Sequence, residues 1–111
     1  MGRFIYDTNA NAVDIDDRTL AHVRIAIMTK LRRGEAFMFD VHVGKGSGHR
    51  SFWIHPSIPL QFRFFTTQRH RINRAWIELL IEAASGPSGL TIVPEPDEEA
   101  PQIVLDEPTT G

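Results

Sequence analysis

Apolar residues recur along this chain in two rhythms. Near the start they alternate: Phe4 and Tyr6 with Arg3 and Ile5, then Val13 and Ile15 with Asp14 and Asp16. A period of two marks a half-buried strand, and the connecting Thr8-Asn9-Ala10-Asn11 suits a hairpin turn. The pattern predicts strands over residues 3–7 and 12–16. The rhythm then slows. Leu20, Val23, Ile27 and Leu31 share one stripe of a helical wheel, widened by Ile25 and Met28. Asp16 or Asp17 can accept the free amides of a first turn. Gly34 supplies a stop, and Lys30, Arg32 and Arg33 stand where a helix dipole favours cations. A helix to about Arg33 follows. Its opposite face carries Arg18, His22, Thr29, Lys30 and Arg33, with no acid between Arg18 and Arg33 to neutralise it. Arg24 falls inside the apolar arc, so its stem snorkels or its head finds a carboxylate elsewhere.

Alternation returns at residues 35–43, with Phe37, Phe39, Val41 and Val43 on one side and Met38, Asp40 and His42 on the other. It continues at 49–55 and at 60–65, separated by Pro56 and Pro59, which forbid regular pairing between them. Asn73 is a cap for a second helix over 74–85. Its apolar positions span over half the circumference and leave Glu78 and Glu82 to water, which predicts the most buried element of the fold. A last strand covers 90–93. The order β-β-α-β-β-α-β predicts an α+β fold: a largely antiparallel sheet of four to six strands with two helices on one face. From residue 12 it contains the βαββαβ order of a ferredoxin-like core.

Charge changes this picture. The total is −2 over 111 residues, but it is a cancellation. Residues 93–111 hold six acids and no Lys or Arg, whereas residues 18–74 hold 11 Lys and Arg against Glu35 and Asp40, together with all five histidines. Residues 1–94 therefore read as one domain, and 95–111 as an acidic, Pro-rich, disordered tail with one apolar island, Ile103-Val104-Leu105.

Several chemistries are excluded or unsupported. With no cysteine, thiolate zinc sites and Cys nucleophiles are impossible. Residues 1–7 lack a signal-peptide core, and no segment has the length of a membrane span, so a cytoplasmic protein without membrane contact is expected. The glycine loop 44–48 is followed by a strand, not by the helix a phosphate loop needs. Ser47 has Lys45 and His49 where a nucleophile elbow has glycines. Asp40 and His42 share a strand face, but a metal site needs three or four ligands. The expectation is no catalytic residue, no metal and no cofactor.

The basic cluster is the clearest signal. Gln68-Arg69-His70-Arg71-Ile72-Asn73-Arg74 places three arginines and a histidine in a loop leading into a helix. Phosphate backbones are bound by clustered, long cationic side chains. The expected nucleic-acid contacts are Arg18, His22, Lys30, Arg33, Arg69, Arg71 and Arg74, in a small non-catalytic binding module whose acidic tail competes with phosphate. A homodimeric protein-interaction module is the alternative. Trp53 and Phe65 lie on the less apolar strand face and suit an interface or base stacking, and Ile103, Val104 and Leu105 could add a strand to a sheet edge.

Asp16-Asp17-Arg18-Thr19-Leu20-Ala21-His22, Lys30-Leu31-Arg32-Arg33-Gly34-Glu35-Ala36-Phe37, Trp53-Ile54-His55-Pro56-Ser57 and Pro94-Glu95-Pro96 stand together in this chain. In these segments it resembles a family of short, uncharacterised bacterial proteins of about this length, over residues 1–96. Its members often carry the label ATP-dependent DNA ligase, and the resemblance implies a DNA-associated role. Adenylation chemistry requires a lysine in Lys-x-Asp-Gly. Lys30 is followed by Leu-Arg-Arg and Lys45 by Gly-Ser-Gly, so no catalytic residue carries over.

Overall fold

The computed structural model describes residues 1–42, 48–67 and 69–97. The glycine-loop residues 44–47 and the 103–105 island lie outside them. Each element expected from the hydrophobic pattern is present. Strands β1 (Gly2–Tyr6) and β2 (Ala12–Ile15) form an antiparallel hairpin around a short 3-10 turn at Asn9–Asn11. Helix α1 spans Asp17–Arg32. Strands β3 (Phe37–His42) and β4 (His49–Ile54) pair antiparallel, with Phe39 opposite Phe52. Strand β5 covers Leu60–Arg63, helix α2 Arg74–Ala84, and β6 Leu90–Thr91.

The class is α+β with two helices, and three of the four described strand pairs are antiparallel; the β3–β6 pair is parallel because α2 carries the chain back between them. One feature differs from the expectation of a single sheet. The strands form two three-stranded sheets, β2-β1-β5 and β4-β3-β6. A ferredoxin-like core would hold the 12–16 strand in the same sheet as 35–43, 49–55 and 90–93. Instead β2 is an edge strand against β1. The cause lies at Pro56 and Pro59: the chain leaves β4, turns through residues 55–59, and β5 pairs with β1, with Phe62 opposite Phe4.

Aromatic rings join the two sheets. Phe4 is fully buried, and its ring meets Phe39 edge-on at 5.2 Å, Phe52 at 5.5 Å and Phe62 at 5.6 Å between centroids. Such pairs stabilise beyond the area they bury. The Tyr6 hydroxyl donates to the Trp53 carbonyl, and Arg50 Nη1 donates to the Ala12 carbonyl, both across the same junction. Leu20, Val23, Ala26 and Ile27 of α1 and Trp76, Leu80 and Ala84 of α2 complete the core. Helix α2 is less enclosed than its sequence suggests, because Leu79 stays 40% exposed. At Gly89 the backbone has φ +82°, and a Cβ there would lie 2.6 Å from the Met38 carbonyl oxygen, so glycine is required for β6 to reach β3. Among the described residues no helix is long and apolar enough to cross a membrane.

Candidate nucleic-acid interface

The basic segment 63–74 is fastened to α1 at both ends. Asp16 is the cap of α1, its carboxylate accepting from the Thr19 amide at 3.2 Å. Asp17 is thereby released for a different task. It is buried, and its carboxylate accepts from the backbone amides of Phe65 at 3.2 Å and Thr66 at 3.1 Å. At the far end Asn73 is fully buried. Its side-chain oxygen accepts from the Ala75 and Trp76 amides, which starts α2. Its own amide N–H donates to His22 Nε2 at 2.8 Å.

That bond settles the place of His22. With Nε2 accepting, Nδ1 carries the hydrogen and donates to the Arg18 carbonyl at 2.8 Å. The ring is fully buried, stacked near Trp76 at 4.6 Å between centroids. Burial pushes its pKa below the ordinary 6.5. His22 is therefore a neutral clasp between α1 and α2, not a surface cation as the wheel suggested. The wheel placed it opposite the sheet-facing stripe, and the second helix covers that side.

Two other expected contacts are also taken up internally. Lys30 is 6% exposed; its ammonium donates to Ser85 Oγ at 3.0 Å and pairs with Glu35 at 2.5 Å. The Glu35 carboxyl is held below its usual range by that lysine. Arg18 is bidentate on the Glu95 carboxylate, at 3.0 Å from Nε and 2.6 Å from Nη2, while Nη1 donates to the Arg71 carbonyl at 2.8 Å. Glu95 lies 77 positions from Arg18, and Glu35 stands five from Lys30, beyond the end of the helix and off its i, i+4 spacing, so no helical charge pattern announces either.

Glu95 belongs to the folded domain, although composition assigns it to the tail. Besides Arg18 it accepts from Asn73 Nδ2 at 3.0 Å, and the same nitrogen donates to the Pro96 carbonyl. Arg18 first and Asn73 second hold its pKa down to about 2. The remaining tail acids from Glu98 onward, like the 103–105 island, lie outside the described residues.

Arg33, Arg69, Arg71 and Arg74 are exposed, as expected. Trp53 is 53% and Phe65 57% exposed. Trp53 lies in the second sheet and Phe65 follows the edge strand of the first, so no single sheet carries both. Two arginines join the basic segment that sequence reasoning did not select. Arg63 is exposed and stands 5.6 Å over the Phe65 ring. Arg24 is also exposed rather than core-facing. It lines a hollow of about 520 Å³ between α1 and the loop, together with Arg69, His70, Thr67, Phe64 and Ile72. Residues 63–74 hold four arginines, a histidine and no carboxylate. The absence of acids in this stretch was legible in the sequence; the approach of Arg24 was not, because it depends on how the loop lies along α1. Among the described residues no three His, Asp or Glu side chains converge as a metal site.

Acid should loosen the clasp in two stages. The unfolded chain takes up a proton at His22 below pH 6.5, and at Glu95 below 4.5, while the folded protein resists both. Stability is then present above these values and lost as pH falls, with the Glu95 part disappearing between about 4.5 and about 2. A melting-temperature profile should be level above 6.5 and fall in two steps below it. Glu95→Gln should shrink the lower step and, because the Glu95 charge favours protonated His22, slightly enlarge the upper one; an unchanged lower step would refute the assignment.

A family model described as a domain of unknown function, DUF7882, matches residues 1–95. The chain belongs to the DUF7882 family. The match ends at Glu95, the carboxylate that closes onto Arg18 and Asn73. No curated protein and no solved structure matches the chain.

Proposed function

We propose that this DUF7882 domain is a non-catalytic nucleic-acid-binding module, and that its contact surface is the 63–74 segment with the adjoining outer face of α1. One observation carries the reading. Arg63, Arg69, Arg71 and Arg74 are exposed on a segment without a carboxylate, pinned in place by Asp17 at one end and Asn73 at the other. A fixed array of guanidiniums releases counterions from a phosphate backbone without first having to be ordered. The exposed Phe65 ring beside Arg63 offers a face on which a base can stack. The surface revises the sequence expectation: His22 and Lys30 leave it, Arg18 is engaged by Glu95, and Arg24 and Arg63 enter it.

Fluorescence anisotropy with labelled duplex and single-stranded DNA at low salt tests the reading. Micromolar or tighter binding that weakens steeply with salt is expected, and no binding at tens of micromolar protein refutes it. Phe65→Ala should weaken single-strand binding about tenfold, since stacking on an aromatic side chain contributes about 1–3 kcal/mol per base. Duplex binding, where bases are already stacked, should change little.

The tail enters the same reading. Glu95 sits on Arg18, whose Nη1 reaches the Arg71 carbonyl, so the acidic residues after it follow in sequence from a point tethered to the basic segment. They compete with phosphate for it. A chain ending at Asp97 should bind DNA several-fold more tightly at low salt and equally well at high salt. Equal affinity in both would leave the tail without a masking role.

A further inference from the structure

We propose that the hollow between α1 and the 64–72 loop binds a phosphomonoester. It shares Arg24 and Arg69 with the surface described above. The hollow has a volume of about 520 Å³, room for a phosphoryl group together with part of the molecule that carries it. Its polar side chains include donors: Arg24 from the helix, and Arg69, His70 and the Thr67 hydroxyl from the loop. Among the described residues no carboxylate lines it. Arg24 and Arg69 make no ion pair among the described residues, so two guanidiniums stand available to a doubly charged anion. His70 Nε2 is buried without a hydrogen-bond partner among the described residues. A buried polar atom in that state calls for an acceptor, which a phosphate oxygen supplies when the nitrogen carries its hydrogen. The rest of the lining is apolar, with Phe64, Ile25 and Ile72, and suits the carbon skeleton to which the phosphate is attached. A monoester carries more charge than a diester at neutral pH and has three equivalent terminal oxygens, so it matches a pocket with donors on opposite walls.

The source of the phosphate separates in the test. The full-length protein is titrated, with NMR chemical shifts read at the arginine Nε–H and His70 ring positions, against the 5′-phosphorylated dinucleotide pTpT, unphosphorylated TpT and inorganic phosphate. The expected result is binding of pTpT at least tenfold tighter than TpT, with shifts centred on Arg24, Arg69 and His70. Binding of inorganic phosphate at the same residues without a gain from the dinucleotide would support a pocket for small phosphate compounds. Arg24→Gln, an exposed change whose folding is checked by melting temperature, should weaken the phosphate-dependent binding about tenfold, while Arg32→Gln at the C-terminal end of α1 should not. Equal affinity for pTpT and TpT, no response to phosphate, or an unchanged Arg24→Gln would overturn the proposal. Salt-sensitive binding of long DNA that survives Arg24→Gln would then remain a property of the exposed arginines alone.

Discussion

Neutralising Arg63, Arg69 and Arg74 together, each to Gln, is expected to lower affinity for duplex DNA about 100-fold at low salt. The loss should fall equally on unrelated sequences, because phosphate contacts position a protein and carry no base information. The sharper readout is the salt dependence. Each phosphate contact adds about 0.9 to the slope of log affinity against log salt, so three lost contacts should reduce that slope by about 2.7. Affinities of the variant and the parent should therefore converge as salt rises. The three side chains are exposed, and none is used by the clasp around His22. The melting temperature should stay within a few degrees, since surface substitutions of this kind are usually worth less than about 0.5 kcal/mol each. A parallel shift of affinity at every salt concentration would mean that these arginines do not meet phosphate. Two of them, Arg69 and Arg74, were visible as candidates in the sequence. Arg63 was not, because strand alternation alone does not say that β5 ends at this residue and presents it beside Phe65.

Asn73→Ala should cost about 3 kcal/mol of folding stability. Two functions meet in this side chain. Its oxygen caps α2 through the Ala75 and Trp76 amides, worth about 1 kcal/mol. Its nitrogen donates to the Glu95 carboxylate and the Pro96 carbonyl, which fixes the end of the domain. A hydrogen bond to a charged group contributes about 1.5–3 kcal/mol, and an acceptor left without its donor adds to the loss. For a domain whose whole stability is about 5–15 kcal/mol, that is a large share. Urea unfolding measures it directly. Asn73→Asp separates the parts. It keeps the cap oxygen but sets a second carboxylate against Glu95, so it should retain α2 while releasing residues 94–97, seen as loss of amide-exchange protection at the domain's end. If Asn73→Ala costs less than about 1.5 kcal/mol, the side chain is only a cap and the clasp is incidental.

The local levels of this fold were open to sequence reasoning because their causes are local. Period-two alternation placed all six strands, helical spacing placed both helices, and Asp16, Asn73 and Gly34 marked their ends through backbone hydrogen bonds that span only a few residues. The division into two sheets was not open in the same way. It depends on β5 choosing β1 over β4, and that choice is made by the turn at residues 55–59 and by the fit of Phe62 against Phe4.

The candidate site divides along the same line. The sequence by itself determined an α+β domain, a basic cluster without acids at 68–74 and a strongly acidic end, because composition and periodicity require no partner to be known. Only the tertiary structure decided which cations face water. His22 and Lys30 read as surface charges on a helical wheel, and became interior clasps when α2 and Glu35 closed over them. Arg18 became the anchor of Glu95, a residue 77 positions away. Arg24 moved from an apparent core position to the wall of a donor-lined hollow. A charge is free or engaged according to which distant groups lie within a few ångströms of it, and that distance is set by packing, not by position along the chain.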